Sequence, residues 1–371
     1  MNAQILQTQP KVSCLVNRWD HIEFATSDLS KMEKLFEVFG FVSTQVRETQ
    51  NLKQKLMVQG NIRFLLSQGQ AGTVQHDYVS RHGDGVSSIA YHSDNAQKTL
   101  EVALSRGATL AMPVNVESEQ ASFGEFKVLS SAIRSFGDCR ATFVERRGTA
   151  PFDVEVTFAP GFRHLPNVNL KAHKGLSLLS LDHLTNNVEM GMMNHWSEFY
   201  QNVFGWIEAR YFDIRAEKTG LFSKVLQSPD GAVKIPVNEA TEKKSQVQEF
   251  IDQHRGAGVQ HIALTTVDIC GTVAELRNRG IRVLDIPPKY YDEDLKTRGV
   301  KFKEDVEKLK ELQVLVDGDD KGYLLQLFTE NQVGPLFFEI IQRVGHNGFG
   351  EGNFKALFES IERDQMKRGV L

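Results

Sequence analysis

His183, His261 and Glu339 have the side-chain types and the placement to hold a transition-metal ion, and each falls in a stretch that reads as a β-strand. Two neutral imidazoles and one carboxylate, with the remaining positions open, make the facial set of non-haem Fe(II) oxygenases. Such sites need open positions so that substrate and dioxygen can bind side by side. The chain has no HExxH pair, which excludes the zinc-protease route to two histidines and a glutamate. A single strand histidine is more often a core or surface residue than a ligand, and the chain contains 11 histidines. The three residues therefore need support from their positions.

That support is an internal repeat. "GAGVQHIAL" (256–264) has a twin in "GDGVSSIAY" (83–91), and "WDHIEFATSDLSKMEKLFEVFGF" (19–41) resembles "LDHLTNNVEMGMMNHWSEFYQNVFGW" (181–206). His183 then lies opposite His21 at an offset of 162, and His261 lies opposite Ser88 at an offset of 173. The same features in the same order are what duplication requires. A looser match sets "TFVERR" (142–147) against "FFEIIQR" (337–343), which places Glu145 opposite Glu339 and implies an insertion of about 21 residues in the second copy. On this reading the first copy keeps His21 and Glu145 but has Ser88 in the middle. It cannot assemble three ligands, and one ion per chain is expected, in the second half.

The elements that must position these residues follow from periodicity. Each half reads as strand, helix and several short strands, then the same again. Helices are expected over 190–203 and 269–280, closing near Gly205 and Gly280, with alternating runs between them. The fold class is α+β: two tandem domains, each a curved open barrel of paired βαβββ units. Residues 151–175, with prolines and little periodicity, read as a connector between a first domain at 1–150 and a second at 176–371. "KFKEDVEKLKEL" (301–312) reads as a solvated helix face.

Composition sets the bounds. With 41% hydrophobic and 24% charged residues and a formal charge of −4, the chain is an ordinary globular protein with no basic field for nucleic acid or an anionic membrane. The start has neither a basic region nor a long apolar run, and no stretch approaches bilayer length. Cys14, Cys139 and Cys270 are few and dispersed, which fits a reducing compartment, with cytoplasm as the expectation.

The three ligand positions, with "GAGVQHIAL", "YLLQLFTE", "FFEIIQR" and "GFGEGNFKALFESIE", resemble the 4-hydroxyphenylpyruvate dioxygenase family of the vicinal oxygen chelate superfamily. The likeness is dense over 175–365 and weaker but collinear over 15–150. It implies Fe(II), one per chain, on His183, His261 and Glu339, and a reaction of 4-hydroxyphenylpyruvate with O2 that yields homogentisate and CO2. It also implies a homodimer or homotetramer.

Strand alternation puts Phe337 on the face of Glu339, pairs Gln326 with Phe328, and pairs Pro236 with Asn238. The resemblance assigns Ser223, Asn238, Gln246 and Gln326 as polar substrate contacts and Phe328 and Phe354 as aromatic walls. Pro236 and Phe337 would shape the same cavity. Gln260, next to a ligand, is expected to point away from the face of His261 and to play a supporting role. The glycine-rich run 345–352 reads as a hinge carrying a C-terminal lid helix, with Asn353 near the helix start as a cap and Phe354 facing the ring. "GFGEG" lacks the Gly-Lys-Ser/Thr of a phosphate loop.

Three other functions compete. A 4-hydroxymandelate synthase would use the same substrate, but such enzymes tend to carry an aliphatic residue in the lid region, where Phe349 and Phe354 are aromatic. A metal-free binding protein on the same fold is disfavoured by the complete ligand set. A ring-cleaving catechol dioxygenase would want histidine or tyrosine acid–base groups where this pocket offers amides and phenylalanines.

Overall fold

A computed structural model of the chain describes residues 2–5, 8–121, 124–148, 157–166, 168, 175–215 and 219–369. They form two nine-stranded sheets built to one plan. In the first, strand Trp19–Ala25 runs parallel to Ile62–Gly69 and antiparallel to Gly85–His92, which in turn runs parallel to Arg140–Gly148. In the second, Leu178–Val188, Lys234–Ala240, Gly258–Thr266 and Phe337–Val344 take the same four places with the same directions. Each unit is a strand, a helix and three strands, the last returning parallel beside the first. A parallel return requires a crossover, and the helix is part of it.

The helices begin where short polar side chains can satisfy free backbone donors: Asp28, Asn95 and Asp268 accept from the amides of Lys31, Lys98 and Gly271. The helix expected over 190–203 runs as Met193–Phe199 and widens into a π-turn, Tyr200–Phe204, ahead of Gly205. The one expected over 269–280 spans Ile269–Asn278. The charged run holds a shorter helix, Val306–Leu312, whose Leu309 and Leu312 are buried, so one side of it packs.

Helix-bearing faces of the two sheets meet in one apolar core. Rings of Phe36 and Phe39 from the first half lie 5.9 and 4.8 Å from Phe338 of the second, and Tyr91 lies 5.5 Å from Phe204 and 5.9 Å from Trp206. Because side chains alternate along a strand, Phe338 in this core leaves Phe337 and Glu339 on the opposite face. That face carries the site.

The sheets also exchange edges. Strand Asn2–Ile5 pairs with Ile207–Arg215 of the second sheet, and Arg163–His164 pairs with Val42–Glu48 of the first. Of the expected connector, residues 151–156, 167 and 169–174 lie outside the described residues. Its Phe158 and Phe162 pack against Leu56, Val58, Leu65, Phe126 and Val128. The ring of Phe158 stands edge-on to His21, 5.1 Å away. The inner face of the first sheet is thus filled with side chains.

Candidate metal centre

Three neighbouring strands of the second sheet bring the expected ligands together. His183 lies opposite Ala263, and Ala263 opposite Glu339, so all three project from one face; His261, two residues before Ala263, shares it. Ligand atoms of His183, His261 and Glu339 all lie within 4.8 Å of one another, and among the described residues no other three histidine, cysteine or acidic side chains do this. Glu339 Oε2 is 3.2 Å from His183 Nε2 and 3.6 Å from His261 Nε2. Donors so spaced can share one ion at the roughly 2.0–2.2 Å of a metal–nitrogen or metal–carboxylate bond.

The outer nitrogens are already engaged. His183 Nδ1 lies 2.8 Å from Asp182, and His261 Nδ1 lies 2.9 Å from Gln260 Oε1. Both acceptors fix the tautomer that leaves the Nε2 lone pair facing inward. Arg343 clasps Asp182 through two 2.8 Å bonds. Burial works against the Asp182 carboxylate, yet hydrogen bonds from Arg343 and His183 hold it well below its usual range. Burial and the neighbouring His183 push His261 well down, keeping it a neutral donor. For His183 burial acts in the same downward sense, but Glu339 and Asp182 outweigh it and raise the pKa. A divalent cation held by these atoms would supply positive charge to the same carboxylates, and its binding would compete with protonation of His183. The residues fit a metal.

The first half corrects the expected alignment. Ala90 lies opposite His21 and Thr142, so the counterpart of Glu339 is Thr142, not Glu145, at an offset of 197. Glu145 instead accepts from the amide of Ala96 at the start of a helix, as Gln342 accepts from Ile269 at the equivalent helix. An acidic residue three positions away, serving a helix terminus, had imitated the ligand. Ser88 Oγ and Thr142 Oγ1 are hydrogen bonded at 2.7 Å, closing the place where two ligands would stand. The support persists: Asp20 holds His21 at 2.7 Å and is gripped by Arg146, the counterpart of Arg343.

His183, Ser223, Pro236, Asn238, Gln246, Gln260, His261, Gln326, Phe328, Phe337, Glu339, Phe349 and Phe354 line one cavity. Phe337 stacks on His261 at 4.8 Å, and Phe349 stands edge-on to His183 at 5.5 Å. Phe354 opens the helix Phe354–Lys367 and packs edge-on against Phe212 at 5.0 Å.

Gln260 does not point away. It faces the cavity and donates to Gln246 at 3.0 Å. Thr185 pairs with His261 but Asn186 with Val259, so Gln260 is the extra residue of a β-bulge, and a bulge breaks the alternation on which the expectation rested. Ser87 is the matching bulge of the first sheet. Asn353 is not a helix cap either. It is buried in a 3₁₀ turn and donates to Gln326 Oε1 at 3.0 Å, because the turn before the helix directs it inward.

Sequence reasoning missed Thr185, whose hydroxyl is 2.9 Å from His261 Nε2, and the Asp182–Arg343 brace. The Asp-His dipeptide in both copies was a signal for Asp182. For Arg343 the signal was Arg146, visible only in the correct register.

A family model described as "Hydroxyphenylpyruvate dioxygenase, HPPD, N-terminal" matches residues 14–157, and one for the glyoxalase, bleomycin resistance protein and dioxygenase superfamily matches 180–327. The second model and the paired βαβββ sheets, with three candidate ligands converging on one face, define the class as that superfamily. Among curated relatives, 4-hydroxyphenylpyruvate dioxygenase of Pseudomonas aeruginosa is 39% identical over 95% of both chains. Protein MelA of Shewanella colwelliana is 40% identical over 94% of this chain and 95% of its own. Among solved structures, a triple variant of 4-hydroxymandelate synthase from Streptomyces coelicolor superposes with a TM-score of 0.80 at 27% identity, covering 94% of this chain and 99% of that one. The chain belongs to the 4-hydroxyphenylpyruvate dioxygenase family.

Proposed function

We propose that the protein is a non-haem Fe(II) dioxygenase that converts 4-hydroxyphenylpyruvate and O2 to homogentisate and CO2. The observation that carries this is the His183–His261–Glu339 cluster opening into a cavity walled by phenylalanines, in a chain of this family. One Fe(II) per chain is assigned to these ligands, with the half at 1–150 metal-free and the half at 176–371 catalytic. When bound, the ion supplies the oxygen chemistry and the Lewis acidity that draws in the keto acid, which the substrate itself carries.

The chain's own residues do the rest. Phe328, Phe337, Phe349 and Phe354 offer apolar faces to the phenyl ring and exclude water from the reacting centre. Ser223, Asn238, Gln246 and Gln326 supply the few polar groups that orient a phenol in such a pocket. Gln260 acts on His261. No general base is required, and none is assigned. The helix Phe354–Lys367 serves as the lid. With Phe354 replaced by alanine, the half-buried ring is lost, and KM is expected to rise about 5–30-fold, the equivalent of roughly 1–2 kcal/mol of lost apolar burial. Iron content should not change. Unaltered steady-state kinetics would show that this helix is static packing.

The fold likeness to a 4-hydroxymandelate synthase keeps benzylic hydroxylation as the second reading. Product analysis after incubating the Fe(II)-loaded protein with 4-hydroxyphenylpyruvate in air separates them. Homogentisate with CO2 supports the proposal, 4-hydroxymandelate supports the second reading, and recovery of unchanged substrate overturns both. Three free cysteines support a reducing, cytoplasmic setting. The family likeness supports a homodimer or homotetramer, which sedimentation equilibrium distinguishes.

A further inference from the structure

The second copy is longer by 24 residues here, since the offset between copies grows from 173 at Ser88 and His261 to 197 at Thr142 and Glu339: residues 279–314 stand between helix Ile269–Asn278 and strand Leu315–Gly318, where only 106–109 separate helix Ala96–Ser105 from the longer strand Leu110–Ala121. Two side chains of that segment reach the metal centre indirectly. Arg298 Nη1 donates to Asn353 Oδ1 at 2.8 Å, and the Tyr290 hydroxyl lies 2.8 Å from the same oxygen. Asn353 Nδ2 donates to Gln326 Oε1 at 3.0 Å. Gln326 Nε2 donates to Glu339 Oε1 at 2.9 Å and to the Phe349 carbonyl at 3.1 Å. Asn353, Gln326 and Glu339 are all buried.

The polarity of this chain of bonds is forced from both ends. A carboxylate and a carbonyl can only accept, so the Gln326 amide must present its nitrogen to Glu339 and its oxygen to Asn353. A guanidinium can only donate, so Asn353 must present its oxygen to Arg298 and its nitrogen to Gln326. The Tyr290 hydroxyl does not fix the order by itself. It has one proton, and the carbonyl of Val316 lies 2.9 Å away and competes for it, while the amide of Val316 donates to the hydroxyl oxygen. Arg298 also lies over the Tyr290 ring, 5.0 Å from its centroid, which fixes the guanidinium in place. Space along the relay is tight: a Cβ on Gly350 would fall 1.8 Å from Gln326 Oε1, and the φ of this glycine is +77°.

We infer that Arg298 is a positioning residue for the metal carboxylate: through Asn353 and Gln326 it holds Glu339 Oε1, so that Oε2 alone faces His183 and His261. The inference rests on the assignment of Glu339 as a metal ligand. It also gives the inserted segment a task. The first copy, which has Thr142 in place of the glutamate, has nothing to orient.

The test uses Co(II) as the probe, titrated into the metal-free full-length chain and read by its visible absorption bands. Arg298→Met and Asn353→Asp are each expected to weaken Co(II) binding about 10–100-fold, the usual effect of losing an outer partner of a ligand, and to shift the bands. The aspartate variant has the same shape but can no longer donate to Gln326. Arg298→Lys, which keeps a donor, should restore most of the affinity. Wild-type affinity and unshifted bands in Arg298→Met would overturn the inference even if the melting temperature fell, since a purely structural role lowers melting alone. Should Arg298→Met not fold, unaltered Co(II) binding by Asn353→Asp overturns it equally. Failure of the wild-type chain to bind Co(II) at all would instead overturn the metal-site assignment itself.

Discussion

With serine in place of His261, the protein is expected to lose stoichiometric iron and its turnover of 4-hydroxyphenylpyruvate, while its fold survives. The substitution copies what stands in the first sheet, where Ser88 occupies the equivalent strand position and hydrogen bonds Thr142. A serine hydroxyl is a poor replacement for imidazole at a ferrous centre. Two remaining ligands, His183 and Glu339, leave most positions to water. The loss of affinity should therefore exceed the roughly 10–100-fold that removal of an outer-shell partner costs. Decarboxylation should fall to background even with excess Fe(II), and circular dichroism should match the unaltered protein. Stoichiometric iron with homogentisate production by this variant would mean that His261 is not a ligand. The same measurement tests where the ion sits, since a second site in the first half would leave iron behind.

The duplicated aspartates give the second large effect, because one chain carries the same brace with and without the candidate metal-ligand set. Asp20 is 2% exposed with Arg146 at 8%, and Asp182 is 5% exposed with Arg343 at 15%. Replacing either aspartate by asparagine leaves a part-buried guanidinium without its main counter-charge, at a cost below the about 3–5 kcal/mol of breaking a fully buried pair. Both variants should show lower urea midpoints. Only Asp182→Asn should also lower iron affinity, about 10–100-fold, because only His183 is placed to bind an ion. Equal iron affinity in the two variants would show that the brace does not tune His183. The pH dependence follows from the sign of the shifts. Both carboxylates are held below their ordinary values despite burial, by Arg146 and His21 for Asp20 and by Arg343 and His183 for Asp182. Their stabilisation is complete above the unfolded value near pH 3.9 and is lost as pH falls below it. In the unaltered protein stability should drop steeply on that acid limb, and each asparagine variant should drop less.

The sequence by itself determined the duplication, the paired βαβββ units, and the three residues that meet at the candidate metal centre. These are legible because period-two alternation and helix-start residues are local, and because two copies of one pattern check each other. It also brought the pocket residues to one face wherever the strands are regular, as for Phe337 with Glu339 or Gln326 with Phe328. What it could not decide was register and what lies between strands. Glu145 looked like the partner of Glu339 because acidic residues can serve a helix start or a metal equally well, and only the pairing of Ala90 with Thr142 separates those uses. Gln260 looked turned away because a bulge, which depends on the neighbouring strand, reverses alternation without leaving a mark in its own sequence. Asn353 looked like a cap because the side chains that claim it, Gln326, Tyr290 and Arg298, lie 27 to 63 residues away in the chain. The filling of the first sheet by Phe158 and Phe162, and the strand that the N-terminal residues add to the second, are likewise settled by contacts between distant segments. Hydrogen-bond partners and packing neighbours are properties of the folded chain, and their free energies are gained only when the tertiary structure brings them within reach.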